Sequence, residues 1–254
     1  MSGPTSSRVL ERSDWCEGLM TLTLDASAPF VPGQFFNVGL KSGETVLRRS
    51  YSAASAPHQS LQFLLSEVKS GELTPKLFQL GAGDEVWLDP QPLGFFTLNE
   101  VPETKRLWLV ATGTGLGPYL SMLRAGALDT RFEQVNIIHG VRDLAQLAHR
   151  EELTHAAPGT TKFQYIPLLS GPTQNKIASS LSISEPIAPL PGRITTAWDD
   201  GSLERAAGPF DQDCHMLLCG NPHMIEDMSL RLKSRGFEKH RRRQPGHFNF
   251  EKYW

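Results

Sequence analysis

Leu107-Trp108-Leu109-Val110-Ala111-Thr112-Gly113-Thr114-Gly115-Leu116-Gly117-Pro118 is the stretch that decides the fold. Leu107 to Ala111 is an unbroken apolar run, as a strand buried on both faces requires. Glycines at 113, 115 and 117 follow, and then a helical pattern from Pro118 to Leu123. The spacing is G-x-G-x-G, which differs from the G-x-G-x-x-G dinucleotide fingerprint. The physics is related: small residues let a ligand approach the backbone, and the next helix presents unpaired N–H groups to an anion. A tight strand-to-helix turn without a ligand would carry the same letters.

C-terminal to this turn the alternation continues. Val135 to His139 and Phe163 to Leu169 read as strands, Leu144 to Leu153 as a helix, His215 to Cys219 as a strand, and Pro222 to Lys233 as an amphipathic helix. Strands alternating with helices predict a parallel, doubly wound α/β sheet. Leu181 to Asp211, rich in Pro, Ser and Ala, is the least readable stretch.

N-terminal to the turn the pattern is short strands. Thr21 to Leu24, Gln34 to Leu40, Ser60 to Val68, Glu85 to Leu88 and Phe95 to Leu98 are separated by turns such as Pro32-Gly33 and Gly81-Ala82-Gly83-Asp84. This predicts an antiparallel barrel or sandwich. One helix interrupts it: Thr74 is read as its cap and Pro75 as its first residue. The boundary is placed at Val101-Pro102-Glu103, giving domains of residues 1–102 and 103–254.

The chain has 254 residues, a comfortable length for two cores. It is 39% hydrophobic and 20% charged, with a formal net charge of −2, so overall charge points to neither nucleic acid nor a membrane. No apolar run is long enough to span a bilayer. Met1 to Trp15 has no hydrophobic signal core. Cys16, Cys214 and Cys219 form no CxxC pair, and an odd count argues against a disulfide framework. A cytoplasmic location is expected.

Further residues suggest chemistry. Arg49-Ser50-Tyr51-Ser52 combines a guanidinium, an aromatic face and hydroxyls at a strand end. Gly71-Glu72-Leu73-Thr74-Pro75 opens a helix whose dipole favours an anion. His139-Gly140-Val141-Arg142 closes the strand after the glycine-rich turn. There Arg142 could meet a 2′-phosphate, favouring NADP over NAD, although Asp143 beside it also fits a surface ion pair. Cys219-Gly220-Asn221-Pro222 lies at the ligand-bearing edge of a parallel sheet. Glu251-Lys252-Tyr253-Trp254 ends the chain on two aromatics. No nucleophile elbow, zinc spacing or iron–sulfur cysteine cluster is visible.

R-x-Y-S, G-x-L-[ST]-P, G-F-F, A-T-G-T-G-x-G-P, C-G-N-P and a terminal E-x-Y-W, in that order, resemble the ferredoxin–NADP reductase family. The K-H-x-R-R and P-G-H of the tail resemble its bacterial ferredoxin/flavodoxin–NADP reductases. The resemblance runs from about Gln34 to Trp254. It implies a β-barrel FAD domain followed by an α/β NADP(H) domain. It implies FAD contacts from Arg49, Ser50, Tyr51, Ser52, Leu64, Gly71, Glu72, Leu73, Thr74, Thr114, Tyr253 and Trp254. For NADP(H) it implies Gly113, Gly115, Val141, Arg142, Ser170, Gly171, Arg193, Asn221, Pro222, His223 and Asp227. Ser52, Cys219, Glu251 and Tyr253 would stand at the reacting centre.

Two positions depart from the pattern. Gly171 follows Ser170 where close bacterial relatives have an arginine, and Leu64 stands where relatives often have a tyrosine. The implied activity is two-electron exchange with NADPH and one-electron exchange with ferredoxin or flavodoxin, by a monomer needing no metal. The basic run Lys239 to Arg243 would dock an acidic carrier. Three other readings stay open. One is an NADH-dependent reductase serving an oxygenase. Another is a low-turnover flavin-binding regulatory module. The last is a nucleic-acid arm at Lys239 to Arg243, against which the near-neutral charge counts.

Overall fold

The computed structural model describes residues 5–156, 162–171 and 188–253. The chain forms two compact units, one of residues 1–98 and 117–127, the other of 99–116 and 128–254.

The first unit is built on β1 (Thr5–Cys16), β2 (Leu19–Ser27), β3 (Phe35–Ser42), β4 (Thr45–Ser52), β5 (Ser60–Ser66) and β6 (Glu85–Leu93). They form one antiparallel sheet in the order β4-β3-β6-β1-β2-β5. The edge strands β4 and β5 approach at an isolated bridge, Ala53 to Phe63, where the Ala54 N–H donates to the Gln62 carbonyl at 2.8 Å. The sheet is therefore barrel-like, with a ladder that does not close. Inward residues fill it, with Phe36 packed edge-on to Phe30 and Phe63 at 5.5 and 6.2 Å. α1 (Thr74–Leu77) and α2 (Gly117–Arg124) belong to this unit. Arg124 ties α2 down by donating to the Ala54 carbonyl at 2.8 Å and to Gln62 at 2.9 Å.

Sequence patterning misses β1, because only Ser7 and Val9 along it are buried and no alternation survives. It stops β6 at Leu88 because Pro90 and Pro92 follow. Among the described residues β1 pairs with β6 from Glu85 to Leu88, ahead of both prolines. Phe95 to Leu98, expected as a strand, is not one: Gly94 turns at φ 97° and a 3-10 turn begins at Leu98.

The second unit holds β7 (Arg106–Thr112), β8 (Gln134–Val141), β9 (Lys162–Leu169), β10 (Leu190–Pro191), β11 (Cys214–Gly220) and β12 (Phe248–Lys252). All pair in parallel, in the order β10-β9-β8-β7-β11-β12. Its helices are α3 (Arg150–His155), α4 (Ile194–Asp199), α5 (Ser202–Ala207) and α6 (Pro222–Ser234). Trp108, Val110, Ile138, Leu168, Met216 and Leu218 meet Ala197, Trp198, Leu203, Ile225 and Met228 in one core. Leu107, Leu109, Ile137 and Leu217 are buried as well, which explains the unbroken apolar runs. The helix expected over Leu144 to Leu153 is broken. A 3-10 turn at Leu144–Gln146 precedes α3, and His149 between them sits at φ 57°. Among the described residues no helix is long and apolar enough to cross a membrane.

Candidate functional site

In the first unit the candidate residues gather at the end of β4 and in the loop before α1. Strand alternation puts Arg49 and Tyr51 on one face of β4, and Ser50 and Ser52 on the other. Arg49 is exposed, its guanidinium bonded at 2.8 Å to the neighbouring Arg48 carbonyl. Ser50 donates to Asn37 at 3.0 Å, and Ser52 is buried. The Tyr51 ring packs against Phe63 at 6.5 Å, and its hydroxyl is buried with no hydrogen-bond partner among the described residues. Burial pushes the Tyr51 phenol up to about 12, partly offset by the charge of Arg49. A buried, unpaired hydroxyl costs about 1–3 kcal/mol unless something supplies its bond. Leu64 is buried on β5, opposite Thr21.

The 68–74 loop departs from the sequence reading in its capping. Thr74 is the first residue of α1, and Leu73, at the cap position, makes no side-chain cap. The Thr74 hydroxyl instead accepts from the Val68 N–H at 2.8 Å and lies 3.2 Å from the Val68 carbonyl. Gly71 donates to that carbonyl at 2.7 Å. A Cβ on Gly71 would lie 3.1 Å from the same oxygen, so the small residue suits the turn. The backbone N–H groups of Glu72, Leu73 and Thr74 have no partner among the described residues. Consecutive free amides form an anion-binding concavity.

In the second unit the glycine-rich turn follows β7. Gly113 sits at φ 53° with open space where a Cβ would be. A Cβ on Gly115 would lie 2.5 Å from the Cys219 carbonyl oxygen, so the turn rests directly on the end of β11. Gly220 is at φ 118°, and a Cβ there would lie 2.6 Å from the Thr112 carbonyl. The Thr112 hydroxyl accepts from the Asn221 N–H at 2.8 Å, and Thr114 is buried. The Asn221 side chain caps α6, accepting from His223 and Met224 at 2.9 and 3.3 Å. Its amide oxygen is therefore already committed. Pro222 opens the helix, while His223 and Asp227 are exposed one turn apart.

β11 and β12 pair Cys219 with Glu251, and the Tyr253 N–H donates to the Gly220 carbonyl at 3.2 Å. Cys219 is fully buried. Burial first, and the Glu251 charge second, push its thiol well above the ordinary range, against a hydrogen bond from Tyr253. The thiol is protonated at neutral pH and is not a nucleophile. Trp254 lies outside the described residues.

Val141, at the end of β8, is buried, and Arg142 after it is exposed, 3.9 Å from Asp143. The Ser170 and Gly171 N–H groups extend the sheet by donating to the Val141 and Arg142 carbonyls at 2.9 and 2.8 Å. A Cβ on Gly171 would lie 2.6 Å from the Arg142 carbonyl and 2.7 Å from Asp143. Glycine is thus the residue this strand end accepts, and Arg142 is the basic group beside it. Arg193 is exposed at the start of α4. Among the described residues no group of His, Cys, Asp and Glu could hold a metal.

Sequence reasoning missed Thr112, His139 and Tyr165. His139 is fully buried, with Nε2 3.0 Å from the Gly113 carbonyl and Nδ1 3.3 Å from the Tyr165 hydroxyl. The signal was a histidine inside an apolar strand.

An oxidoreductase NAD-binding domain model matches residues 109–229. The flavodoxin/ferredoxin–NADP reductase of Escherichia coli K12 is 36% identical over all of both chains. That of Buchnera aphidicola from Baizongia pistaciae is 34% identical over 98% of each. A crystal structure of a ferredoxin NADP+ reductase from Neisseria gonorrhoeae, with bound FAD and NADP, superposes with a TM-score of 0.87 at 26% identity, covering 99% of both chains.

Proposed function

This chain belongs to the flavodoxin/ferredoxin–NADP reductase family, and from that premise we propose that it exchanges electrons between NADP(H) and a ferredoxin or flavodoxin through bound FAD. The observation in the chain itself that carries the reading is the buried, unpaired Tyr51 hydroxyl beside the exposed Arg49. A ligand with a flat ring, polar edges and a pyrophosphate suits that set together with the free amides at 72–74. FAD, when bound, supplies what no side chain can: it takes electrons as a hydride and gives them up singly.

The residues bind and orient. Arg49 and the amides of Glu72, Leu73 and Thr74 would hold the pyrophosphate, with Gly71 keeping the loop tight. Tyr51 would stack on the flavin ring, with Ser50, Ser52, Leu64 and Thr114 around it. Tyr253 and Trp254 would cover the remaining flavin surface. Gly113, Gly115, Val141, Ser170, Gly171, Asn221, Pro222, His223 and Asp227 would line the dinucleotide. Arg142 and Arg193 would pair with its 2′-phosphate. Cys219, neutral and buried, would pack at the reacting centre with Glu251 and donate no charge there. The basic run Lys239 to Arg243 would meet an acidic carrier, and the protein would act as a cytoplasmic monomer whose two domains take FAD and NADP(H) in turn.

The direct test is titration of the purified chain with FAD, followed by flavin fluorescence. Quenching that saturates at one FAD per chain supports the reading, and fluorescence unchanged by protein contradicts it.

A further inference from the structure

His139 is hard to explain as ordinary core. It sits on β8 in register with Ala111 of β7 and Pro167 of β9, so its two neighbours across the sheet are apolar. A histidine there carries two polar nitrogens into a site that a leucine would fill at no hydrogen-bonding cost. Both nitrogens have partners, and neither partner is the ladder. Nε2 lies 3.0 Å from the carbonyl oxygen of Gly113, in the glycine-rich turn. Nδ1 lies 3.3 Å from the hydroxyl of Tyr165 on β9.

The chemistry of the partners fixes the proton. A carbonyl only accepts, so Nε2 must carry the hydrogen and donate it to Gly113. Nδ1 is then the lone-pair nitrogen, and the Tyr165 hydroxyl donates to it. Burial favours the same state: it pushes the His139 imidazolium down to about 4 and the Tyr165 phenol up, so the ring is neutral and the phenol protonated. The Gly113 carbonyl selects the tautomer, and the Tyr165 hydroxyl satisfies the nitrogen left over.

The bond acts on the turn. Gly113 adopts φ 53°, with nothing within 4 Å of where its Cβ would be, so glycine is present for its backbone conformation and for open space. In a trans peptide the C=O and the next N–H point in opposite directions. Holding the Gly113 carbonyl towards His139 therefore holds the Thr114 N–H away from it. Gly115 is fixed independently by its seat on the Cys219 carbonyl. The turn is thus pinned at two points, and His139 sets the orientation of the peptide before the second.

We propose that His139 is a positioning residue for the dinucleotide: its Nε2–H, kept in place by Tyr165, fixes the 113–114 peptide so that the Thr114 N–H is presented to the bound nucleotide. The inference rests on the NADP(H) reading above. It concerns a backbone donor, so it bears on parts of the ligand that NADP+ and NAD+ share.

The test is calorimetric titration of the FAD-loaded full chain with NADP+ and with NAD+, for wild type, His139→Leu, His139→Gln and Tyr165→Phe. His139→Leu should weaken both dinucleotides by the same factor, about 10-fold, the worth of one buried hydrogen bond. It should raise the KM for NADPH by that factor with kcat within about 2-fold. His139→Gln, whose amide can donate to Gly113, should recover most of the loss. Tyr165→Phe keeps the histidine but removes the second bond that orients its ring, and should weaken binding by about 3-fold. It serves if His139→Leu does not fold. Unchanged affinity in both His139→Leu and Tyr165→Phe overturns the proposal, as does a His139→Gln chain as weak as the leucine variant. A wild-type chain that takes up FAD but binds no NADP+ overturns the NADP(H) reading and this proposal with it.

Discussion

The 112–117 turn and the 68–74 loop are both candidate anion sites that begin at a glycine, yet they are held in different ways. Behind the turn stand buried His139 on the Gly113 carbonyl, the end of β11 under Gly115, and Thr112 bonded to Asn221 and packed close on Gly220. The loop is tied at its base by Thr74 and Gly71 on Val68, with Leu73 buried in the core, and leaves three successive amides without a partner among the described residues. One presents donors because its backbone is clamped from below. The other presents them because nothing among the described residues uses them. Substitutions that crowd the clamped turn should therefore cost more stability than the same substitutions in the open loop.

Alanine at each glycine gives the sharpest contrast. Gly115→Ala puts a methyl group 2.5 Å from a backbone oxygen that cannot move without shifting β11. It should cost about 2–4 kcal/mol of stability in a urea titration. Gly71→Ala meets its nearest neighbour at 3.1 Å, at a φ that other residues adopt. It should cost under about 1 kcal/mol. Equal costs would remove the distinction.

Next in size is Arg142→Ala. Loss of a charge-assisted contact should lower kcat/KM for NADPH by about 1.5–3 kcal/mol and leave NADH unchanged. Equal effects on both cofactors would return Arg142 to the surface. Acid tests the clamp itself. Burial holds His139 and His215 at about 4 against an ordinary 6.5. The unfolded chain takes up these protons as pH falls through 6.5, and the folded chain does so only near 4. Stability is complete above that range and is lost across it, by roughly 2 kcal/mol per histidine between pH 7 and 5. His139→Gln should flatten the slope by its share, and an unaltered slope would show that His139 takes up its proton alike in the folded and unfolded chain. A small effect is expected from Thr74→Val. It removes the two Val68 contacts at the base of the open loop, for about 1 kcal/mol of stability, and FAD affinity should fall with it.

The same contrast explains what the sequence could reveal. β7, the glycines and α2 were legible because an apolar run, a turn and a helix leave local signatures. β10, α4 and α5 were not, because the segment is short and rich in Pro, Ser and Ala. β12 follows the basic run, and Phe248 is its one buried residue. Around the sites, Arg49, Tyr51, Cys219 and Glu251 could be named from motifs. The clamp could not: Thr112, His139, Tyr165 and Gly220 meet only when β7, β8, β9 and β11 come into register. Gly171 read as a missing arginine, whereas the folded strand end has no room for a side chain there.

The central claim is that this chain binds FAD and passes NADPH electrons through it, and one anaerobic absorbance titration tests it. Purified protein loaded with FAD should be yellow, and NADPH should bleach it much faster than NADH. A chain that takes up no FAD, or whose bound flavin neither dinucleotide reduces, would contradict the account.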